Sequence, residues 1–381
     1  MHRQLFACAA LALGLGTSVP VAVAQTIKIG SFVSVTGPAF FLGDPEKKTL
    51  EMMVEKINKE GGVLGRKIEL VLYDDGSNAA TARTLASRLI DNDKVDILIG
   101  GSVTPTTMAA VPLAEKAGVP FVSLAGGTII SVPVKKWVFV TPQTSRMACA
   151  KVLEDMKKRG ITTIAIMAAN YGVGEDMRAE CVALSKEYNV TIAAVESYGP
   201  KDSDMTAQLA KIRGIQGVQA VLNVDTGQGP AIVTRNYRQL GITVPLYQLH
   251  GVASQSYIDL SGGAADGVRL PAGAMIIVDQ LPDEVPQKSI IRAYKEAYEA
   301  KYNSPVSTFG GHAHDGLLLV IDALKRAGST DKEKVRAALE QTKDLVGTAG
   351  PITMSRDNHS GLGSMSMFMV EVRGGKWKLV Q

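Results

Sequence analysis

The stretch from residue 68 to residue 100 reads IELVLYDDGSNAATARTLASRLIDNDKVDILIG and predicts two strands separated by one helix. Ile68, Leu70 and Leu72 lie at every second position, which is typical of a strand. Ser77 or Asn78 can cap a helix whose inner face carries apolar side chains, Ala82 and Leu89 among them. The run DILIG at 96–100 predicts a short buried strand. A strand–helix–strand unit of this kind is typical of a parallel sheet covered on both faces.

The same alternation continues along the chain and predicts two such sheets, one before and one after about residue 142. Three predicted helices without new strands follow residue 271, and strand-like sequence returns after residue 350. Helices of this kind usually complete an earlier layer. We therefore predict an α/β fold of two lobes, between which the chain crosses three times. The predicted lobes are 25–141 with 272–350, and 142–271 with 351–381.

The composition excludes several classes of protein. The chain has 381 residues, a formal net charge of +4 and 46% hydrophobic residues. A disordered chain would need lower hydrophobicity and a larger net charge. The Lys and Arg residues are dispersed and form no cluster with interleaved aromatic residues, so we expect no nucleic-acid partner. The length favours two domains.

The first 24 residues, MHRQLFACAALALGLGTSVPVAVA, have the layout of a cleaved secretory signal peptide. A basic start at Arg3 precedes an apolar run, and Ala22 and Ala24 form an A-x-A cleavage site. A transmembrane anchor is the alternative, but the apolar run is shorter than the ~20 residues that span a bilayer, and Pro20 interrupts it. We therefore predict a soluble protein outside the cytoplasm whose mature chain starts near Gln25.

Two cysteines, Cys149 and Cys181, remain in the predicted mature chain. An oxidising compartment permits a disulfide between them. Both lie in predicted amphipathic helices, where a small buried free thiol is the more common case. We expect two free thiols, and a disulfide is the alternative.

The loops that follow the predicted strands form the candidate site, because ligands of open parallel sheets bind beyond the carboxyl ends of the strands. First-lobe loops carry hydroxyl groups and glycines next to helix N-termini, which suits a carboxylate or another small anion. Alternatively, these residues only build turns and caps. The candidate ligand-binding residues are Phe40, Phe41, Leu42, Ser102, Val103, Thr104, Ala125, Gly126, Gly127, Thr128, Tyr171, Asp225, Thr226 and His250.

No pattern in the sequence indicates catalysis, and we expect no catalytic residue, no metal and no cofactor. His312, His314 and Asp315 form a small cluster, but residues i and i+2 do not share a helix face, so a capping or interlobe role is favoured over a metal site. The glycines at 172 and 174 lack the full dinucleotide fingerprint. Neither a G-x-S-x-G elbow nor a P-loop occurs.

Four stretches carry a resemblance to a known family: IKIGSFVSVTGPAFFLG at 27–43, MMVEKINKEGGVLGRKIELVLYDDGSNAATA at 52–82, ILIGGSVTPTTMAAVPLAEKAGVPFVS at 97–123 and NYGVGEDM at 170–177. In these stretches the chain resembles periplasmic solute-binding proteins of ABC importers, of the branched-chain amino-acid type, with the aromatic-acid-binding branch as one option. The resemblance implies a type I Venus-flytrap fold, with two Rossmann-like lobes joined by a three-strand hinge. It also implies a periplasmic location and an inner-membrane ABC permease as partner.

The resemblance also assigns roles to individual positions. The loop from Ser102 to Thr104 matches the loop that holds the ligand carboxylate, assisted by residues 125–128. Tyr171 matches the tyrosine that the family places in its second lobe, and Thr226 falls near a second-lobe ligand contact. These matches imply a ligand held in the cleft between the lobes.

One departure from the family pattern bears on the ligand. His250 stands where amino-acid binders typically place the glutamate that holds the α-ammonium group, and Leu42 stands where the family has a tyrosine. Asp225 could replace the glutamate from a neighbouring loop. His250 could instead donate a hydrogen bond to a carboxylate, keto or hydroxyl oxygen, and next to a carboxylate it would tend to stay protonated. A packing or capping histidine is the alternative.

Phe40, Phe41 and Tyr171 make an aromatic acid, such as a benzoate or a phenyl-keto acid, the first hypothesis for the ligand. We expect a monomeric carrier that closes on a small carboxylate and delivers it to the permease. One alternative is a binding protein for branched-chain or other hydrophobic amino acids. Another is a ligand-sensing ectodomain partner. An enzyme would need a convergent set of acid and base groups or a metal site, which the sequence does not show.

Overall fold

The computed structural model describes residues 26–380, so the predicted signal peptide lies outside the described residues. Five parallel strands form the first sheet: β1 (Ile27–Val33), β2 (Ile68–Asp74), β3 (Ile97–Gly100), β4 (Phe121–Ser123) and β5 (Val138–Val140). Their order is β2-β1-β3-β4-β5. The helices between them are α1 (Phe40–Lys59), α2 (Ala79–Asp91), α3 (Thr104–Ala117) and α4 (Thr128–Ser131). Every residue of β3 is buried, as expected for a sheet covered on both faces.

The opening strand–helix–strand unit folds as its sequence predicts. Asn78 is the residue that caps α2, because its side chain accepts hydrogen bonds from the backbone N–H groups of Ala80 and Thr81 at 2.9 and 3.0 Å. The Ser77 hydroxyl group donates to the Thr36 carbonyl instead. The cap therefore fixes the start of α2 directly after the loop that follows β2.

A second series of strands and helices follows β5. Its strands are β6 (Thr163–Ala169), β7 (Thr191–Tyr198), β8 (Ala220–Val224), β9 (Leu246–Gln248) and β10 (Arg269–Ala272). Its helices are α5 (Ser145–Lys158), α6 (Gly172–Ser185), α7 (Thr206–Arg213), α8 (Gly229–Gln239) and α9 (Gln255–Ser261). All pairings among these five strands are parallel.

The chain leaves this second sheet after β10. It then forms α10 (Lys288–Tyr302), α11 (Thr308–Ala327), α12 (Lys332–Glu340) and a small antiparallel pair, β11 (Leu345–Val346) and β12 (Pro351–Ile352). Helix α11 packs along α1 and against β3 and β4, so it covers the first sheet. Buried Ile352, Met354 and Leu362 join the same core. This packing favours a third crossing of the chain between the lobes after Leu362. The lobe boundary that we predicted near residue 350 remains a prediction.

The last two strands, β13 (Phe368–Arg373) and β14 (Lys376–Leu379), return to the second sheet. They extend it as antiparallel strands in the order β14-β13-β10-β9-β8-β6-β7. The two sheets are thus connected by passages after β5, after β10 and before β13. No helix among the described residues is both long enough and apolar enough to cross a membrane.

The expectation of two free thiols is wrong, because Cys149 and Cys181 form a disulfide. Cys149 lies on α5 and Cys181 on α6, and these two helices pack side by side. Their packing brings the two Cα atoms to 5.0 Å, within the range that a disulfide needs. Helical periodicity indicates which face of each helix is buried, but it does not indicate which two helices are neighbours.

Candidate ligand-binding site

A pocket lies between the two sheets, beyond the carboxyl ends of strands from both. Its empty volume is about 410 Å³, which includes space open to solvent. Loops after β3, β4, β8 and β9 contribute to its wall, together with helices α1, α6 and α11. The lining residues are Leu42, Ser102, Val103, Thr104, Leu124, Ala125, Gly126, Gly127, Pro142, Ser145, Val173, Met177, Thr226, His250, Gly251, Phe309 and His312.

The structure brings nine of the predicted residues together at this pocket and places the other five outside its lining. The nine are Leu42, Ser102, Val103, Thr104, Ala125, Gly126, Gly127, Thr226 and His250. The five are Phe40, Phe41, Thr128, Tyr171 and Asp225. Convergence of the loops follows from the parallel sheets, because the ends of neighbouring parallel strands meet at one edge.

Ser102 and Thr104 lie at the N-terminus of α3, which opens onto the pocket. The first N–H groups of a helix have no partner within the helix, and the helix dipole favours negative charge at this end. Ser102 is held by two contacts, since its Oγ accepts from the Ser34 backbone N–H at 2.9 Å and also bonds the carboxyl group of Glu46. This side of the pocket therefore suits an anionic group.

Two glycines allow the loop after β4 to approach the site closely. A Cβ atom on Gly127 would lie 2.5 Å from Oγ1 of Thr104. A Cβ atom on Gly126 would lie 2.3 Å from the Gln143 carbonyl oxygen and 3.2 Å from Nε2 of His250. Side chains at either position would push the loop away from the wall of the pocket.

His250 begins a short 3-10 turn directly after β9. Desolvation by the surrounding protein lowers the pKa of His250 to about 4, although a hydrogen bond to the Gln143 backbone carbonyl opposes this shift. The ring is therefore neutral near neutral pH. Its Nδ1 atom is buried and has no hydrogen-bond partner among the described residues. With Nε2 close to the Gln143 carbonyl, Nδ1 is the atom left to accept a hydrogen bond from a ligand.

His312 and Phe309, both on α11, also line the pocket and were not predicted to do so. Burial lowers the pKa of His312 to about 4, and nearby His250 adds to this effect while Asp315 opposes it. Nδ1 of His312 also has no hydrogen-bond partner among the described residues. Phe309 lies edge-on to His312, with 6.1 Å between the ring centroids. The pocket thus has two neutral imidazole rings beside one aromatic ring.

Asp225 points away from the pocket, into the interior of the second lobe. Its Oδ1 accepts from the Tyr171 hydroxyl at 2.8 Å, and its Oδ2 accepts from the Tyr198 hydroxyl at 3.0 Å. Burial raises the pKa of Asp225 to about 7. Tyr171 is therefore a hydrogen-bond partner of Asp225. The next residue, Thr226, lines the pocket, and its hydroxyl group donates to the Gly251 carbonyl at 2.6 Å.

The predicted aromatic wall of Phe40, Phe41 and Tyr171 does not line this pocket. Phe41 is buried and packs against Phe309, with 6.0 Å between the ring centroids, while Phe40 is exposed. The Thr128 N–H donates to the Asp176 carboxylate at 3.0 Å. Phe309 supplies the aromatic surface that we expected from the first loop. Its contribution was missed because it lies on a helix that follows no strand.

No group of three or more His, Cys, Asp or Glu side chains within residues 26–380 is placed to hold a metal ion. His314 bonds Asp315 through Nδ1 at 2.9 Å, and Asp315 accepts from the backbone N–H groups of Thr348 and Ala349. These two members of the sequence cluster therefore have structural partners, while His312 faces the pocket.

The family model of periplasmic binding proteins matches residues 26–376. The chain belongs to this family. Family members are solute-binding components of ABC-type transporters and have no enzymatic activity, in agreement with the absence of a catalytic motif in the sequence. The predicted α/β fold class of two lobes with parallel central sheets is confirmed.

A curated relative of this binding protein is the leucine-, isoleucine-, valine-, threonine- and alanine-binding protein of Pseudomonas aeruginosa, which is 27% identical over 88% of this chain and 87% of its own. An extracellular ligand-binding receptor from Rhodopseudomonas palustris HaA2 is 26% identical, with a TM-score of 0.87 over 93% of this chain and 100% of its own. A solute-binding protein of an ABC transporter from Rhodopseudomonas palustris BisB5, solved with 3,4-dihydroxybenzoic acid, has a TM-score of 0.79 over 92% and 95% of the two chains at 23% identity. This last likeness shows the fold alone.

Proposed function

We propose that this protein binds a small aromatic carboxylate in the pocket between its lobes and delivers it, in the periplasm, to the permease of an ABC importer. One observation carries the proposal. The pocket offers a helix N-terminus, hydroxyl groups and two neutral histidines, and no Asp or Glu stands among the described residues that line it. An anion therefore finds donors, whereas an ammonium group finds no opposite charge.

The carboxylate end of the ligand is assigned to the N-terminus of α3. Ser102 and Thr104 supply hydroxyl groups there, and the helix end supplies partial positive charge. A charge-assisted hydrogen bond is stronger than a neutral one. This end of the site does not distinguish an amino acid from a simple acid, because both carry a carboxylate.

The rest of the pocket favours an aromatic ring with polar substituents. Phe309, Leu42 and Met177 provide apolar surface. Nδ1 of His250 and Nδ1 of His312 are buried and have no hydrogen-bond partner among the described residues, and unpartnered buried polar atoms are costly unless a ligand pairs with them. A phenolic hydroxyl group can donate to such an atom. A hydroxybenzoate therefore matches the lining better than benzoate does.

An amino-acid ligand is the second candidate, because curated relatives bind leucine, isoleucine and valine by name. The solved relatives include one from Streptococcus pneumoniae in complex with isoleucine at 24% identity, so the fold accommodates both ligand classes. The pocket argues against an amino acid here. Asp225 accepts hydrogen bonds from Tyr171 and Tyr198. The family resemblance implies that His250 stands at the position where amino-acid binders typically have glutamate.

Isothermal titration calorimetry with the His250→Glu variant tests the ligand class. We expect the wild type to bind 4-hydroxybenzoate and 3,4-dihydroxybenzoate, and to bind leucine at least tenfold more weakly. The variant places a carboxylate in the pocket, so we expect it to lose at least tenfold in affinity for the aromatic acids. Gln216→Glu adds the same charge on the exposed surface and serves as the control. Tighter binding of leucine than of the aromatic acids by the wild type would refute the proposal.

A further inference from the structure

We propose that Glu46 is a positioning residue for the ligand carboxylate. In the binding-competent state its carboxyl group keeps a proton and donates a hydrogen bond to Ser102 Oγ. This hydrogen bond directs the Ser102 hydroxyl proton into the pocket. This inference rests on the proposed function, because it concerns the carboxylate end of the same site. Glu46 was not among the predicted site residues. It does not line the pocket and acts only through Ser102.

The contacts of Ser102 leave little freedom to its hydroxyl group. A hydroxyl group has one proton and two lone pairs. One lone pair of Ser102 Oγ accepts from the Ser34 backbone N–H at 2.9 Å, and Oε2 of Glu46 occupies a second direction. The third direction is available to the pocket, which Ser102 lines. The protonation of Glu46 therefore determines whether the proton or a lone pair of Ser102 is directed at the ligand.

The two protonation states have opposite effects on an anion. An ionised Glu46 can only accept, so the Ser102 proton points at Glu46 and a lone pair remains for the ligand carboxylate, which it repels. A protonated Glu46 donates to Ser102 Oγ, and the Ser102 proton is then free to donate to the ligand carboxylate. The second arrangement forms a chain of hydrogen bonds that all run in one direction.

The surroundings of Glu46 favour the protonated state. Its side chain is fully buried, and Oε1 has no hydrogen-bond partner among the described residues. Burial raises the pKa of Glu46 well above its ordinary value; the hydrogen bond with Ser102 opposes this rise, and the nearby Asp75 adds to it. The lysines that flank Glu46 in α1 do not compensate its charge, because Lys47 pairs with Glu51 and Lys48 pairs with Asp44.

The other ionisable groups near Glu46 come from the elements packed against α1. Asp75, in the loop after β2, is buried and accepts from the Ser34 hydroxyl at 2.7 Å and from the Ser77 N–H at 2.8 Å. On α11, His312 lines the pocket, while His314 and Asp315 bond each other. A bound carboxylate would add negative charge on the far side of Ser102. An ionised Glu46 would then be one of several nearby anions with no cation paired to it.

The test compares the pH dependence of 4-hydroxybenzoate binding in wild type, Glu46→Gln and Glu46→Leu by calorimetry. A glutamine amide donates to Ser102 Oγ at every pH, as a protonated carboxyl does, whereas leucine cannot donate. We expect wild-type affinity to fall by about tenfold per pH unit once the pH exceeds the pKa of Glu46. E46Q should bind as tightly as the wild type at neutral pH and lose this decline, and E46L should bind at least tenfold more weakly than E46Q. Glu60→Gln, an exposed residue directly after the same helix, is the control.

A second measurement separates this inference from the proposed function. The infrared difference spectrum of wild type minus E46Q, without ligand and at neutral pH, should contain the carbonyl band of a protonated carboxyl group. If the wild type binds no aromatic acid, the proposed function fails, and the infrared band still decides the state of Glu46. An ionised Glu46 in that spectrum, or an E46Q variant with at least tenfold weaker binding than the wild type, would overturn the inference.

Discussion

At the scale of single residues, burial without a charged partner sets the protonation of the groups in and around the pocket. His250 and His312 are held neutral, with pKa values lowered to about 4, whereas Asp225, away from the pocket, has a pKa raised to about 7. Both shifts have the same cause, since desolvation disfavours whichever form is charged. They affect the stability of the folded protein in opposite directions as the pH changes.

The two histidines should destabilise the ligand-free protein as the pH falls. Their folded-state pKa values lie below the ordinary 6.5, so the unfolded chain binds more protons between about pH 6.5 and pH 4, and stability is lost across that window. We expect a loss on the order of 1–2 kcal/mol per histidine by about pH 5. Urea unfolding of wild type and H250Q/H312Q against pH measures the difference. A Gln216→His control adds an exposed histidine and should retain the wild-type slope, and an unchanged slope in the double variant would contradict the assignment.

Asp225 should act in the opposite sense. Its folded-state pKa is raised, so the folded protein binds more protons than the unfolded chain between about pH 4 and pH 7, and stability falls as the pH rises through that window. Asp225→Asn should remove this contribution, on the order of 2 kcal/mol between pH 5 and pH 8, without changing ligand preference. Exposed Asp357→Asn is the matched control. A changed ligand preference in D225N would place Asp225 in the site after all.

The site could be predicted from sequence only where the strand ends determine it. Ser102, Gly126 and His250 directly follow or lie close to strand ends, so the geometry of parallel sheets brings them to one edge. No such rule predicts where a loop side chain points, and the Asp225 side chain points into the interior of the second lobe. Phe309 and His312 enter on α11, which follows no strand, so nothing in the local pattern indicated that they reach the pocket.

At the scale of elements, strand–helix alternation predicted both sheets, because buried parallel strands and amphipathic helices have distinct periods. The contacts between elements were less predictable. Helices α5 and α6 are neighbours on one face of the second sheet, which the sequence pattern does not encode, and their packing joins Cys149 to Cys181. Met354 and Leu362, which follow β12, pack in the core of the first sheet, and the strand-like sequence of β13 begins only after them.

The disulfide between α5 and α6 should stabilise the fold. It closes a loop with a sequence separation of 32 residues, for which restriction of the unfolded chain predicts about 3–4 kcal/mol. The C149A/C181A variant should therefore have a lower urea midpoint than the oxidised wild type. Reduction of the wild type with dithiothreitol is the control and should lower the midpoint similarly. Equal midpoints for the oxidised wild type and the variant would show that the bond contributes no net stability.

At the scale of the whole molecule, a charged side chain beside the pocket takes part in the contacts between the lobes. Asp176 on α6 accepts hydrogen bonds from the backbone N–H groups of Thr128 and Ile129, at 3.0 and 3.1 Å. These N–H groups form the N-terminus of α4, which packs beside β5 of the first sheet. The carboxylate thus caps a helix of the opposite lobe, and the contact exists only while the two lobes are close together.

Removal of this contact should weaken the closed form. We expect Asp176→Ala to reduce 4-hydroxybenzoate affinity about tenfold, since two hydrogen bonds to a charged group are lost. Small-angle X-ray scattering at saturating ligand should show a larger radius of gyration than for the wild type. Glu175→Ala removes an exposed carboxylate from the neighbouring position and is the control. Unchanged affinity and radius in D176A would show that the contact does not support closure.

The central claim is that the pocket accepts a carboxylate but has no partner for an α-ammonium group. Calorimetry of the wild type with phenylpyruvate and phenylalanine tests it most directly, because these ligands share the ring and the carboxylate and differ in the keto or ammonium group at Cα. We expect phenylpyruvate to bind at least tenfold more tightly. Equal or tighter binding of phenylalanine would contradict the account.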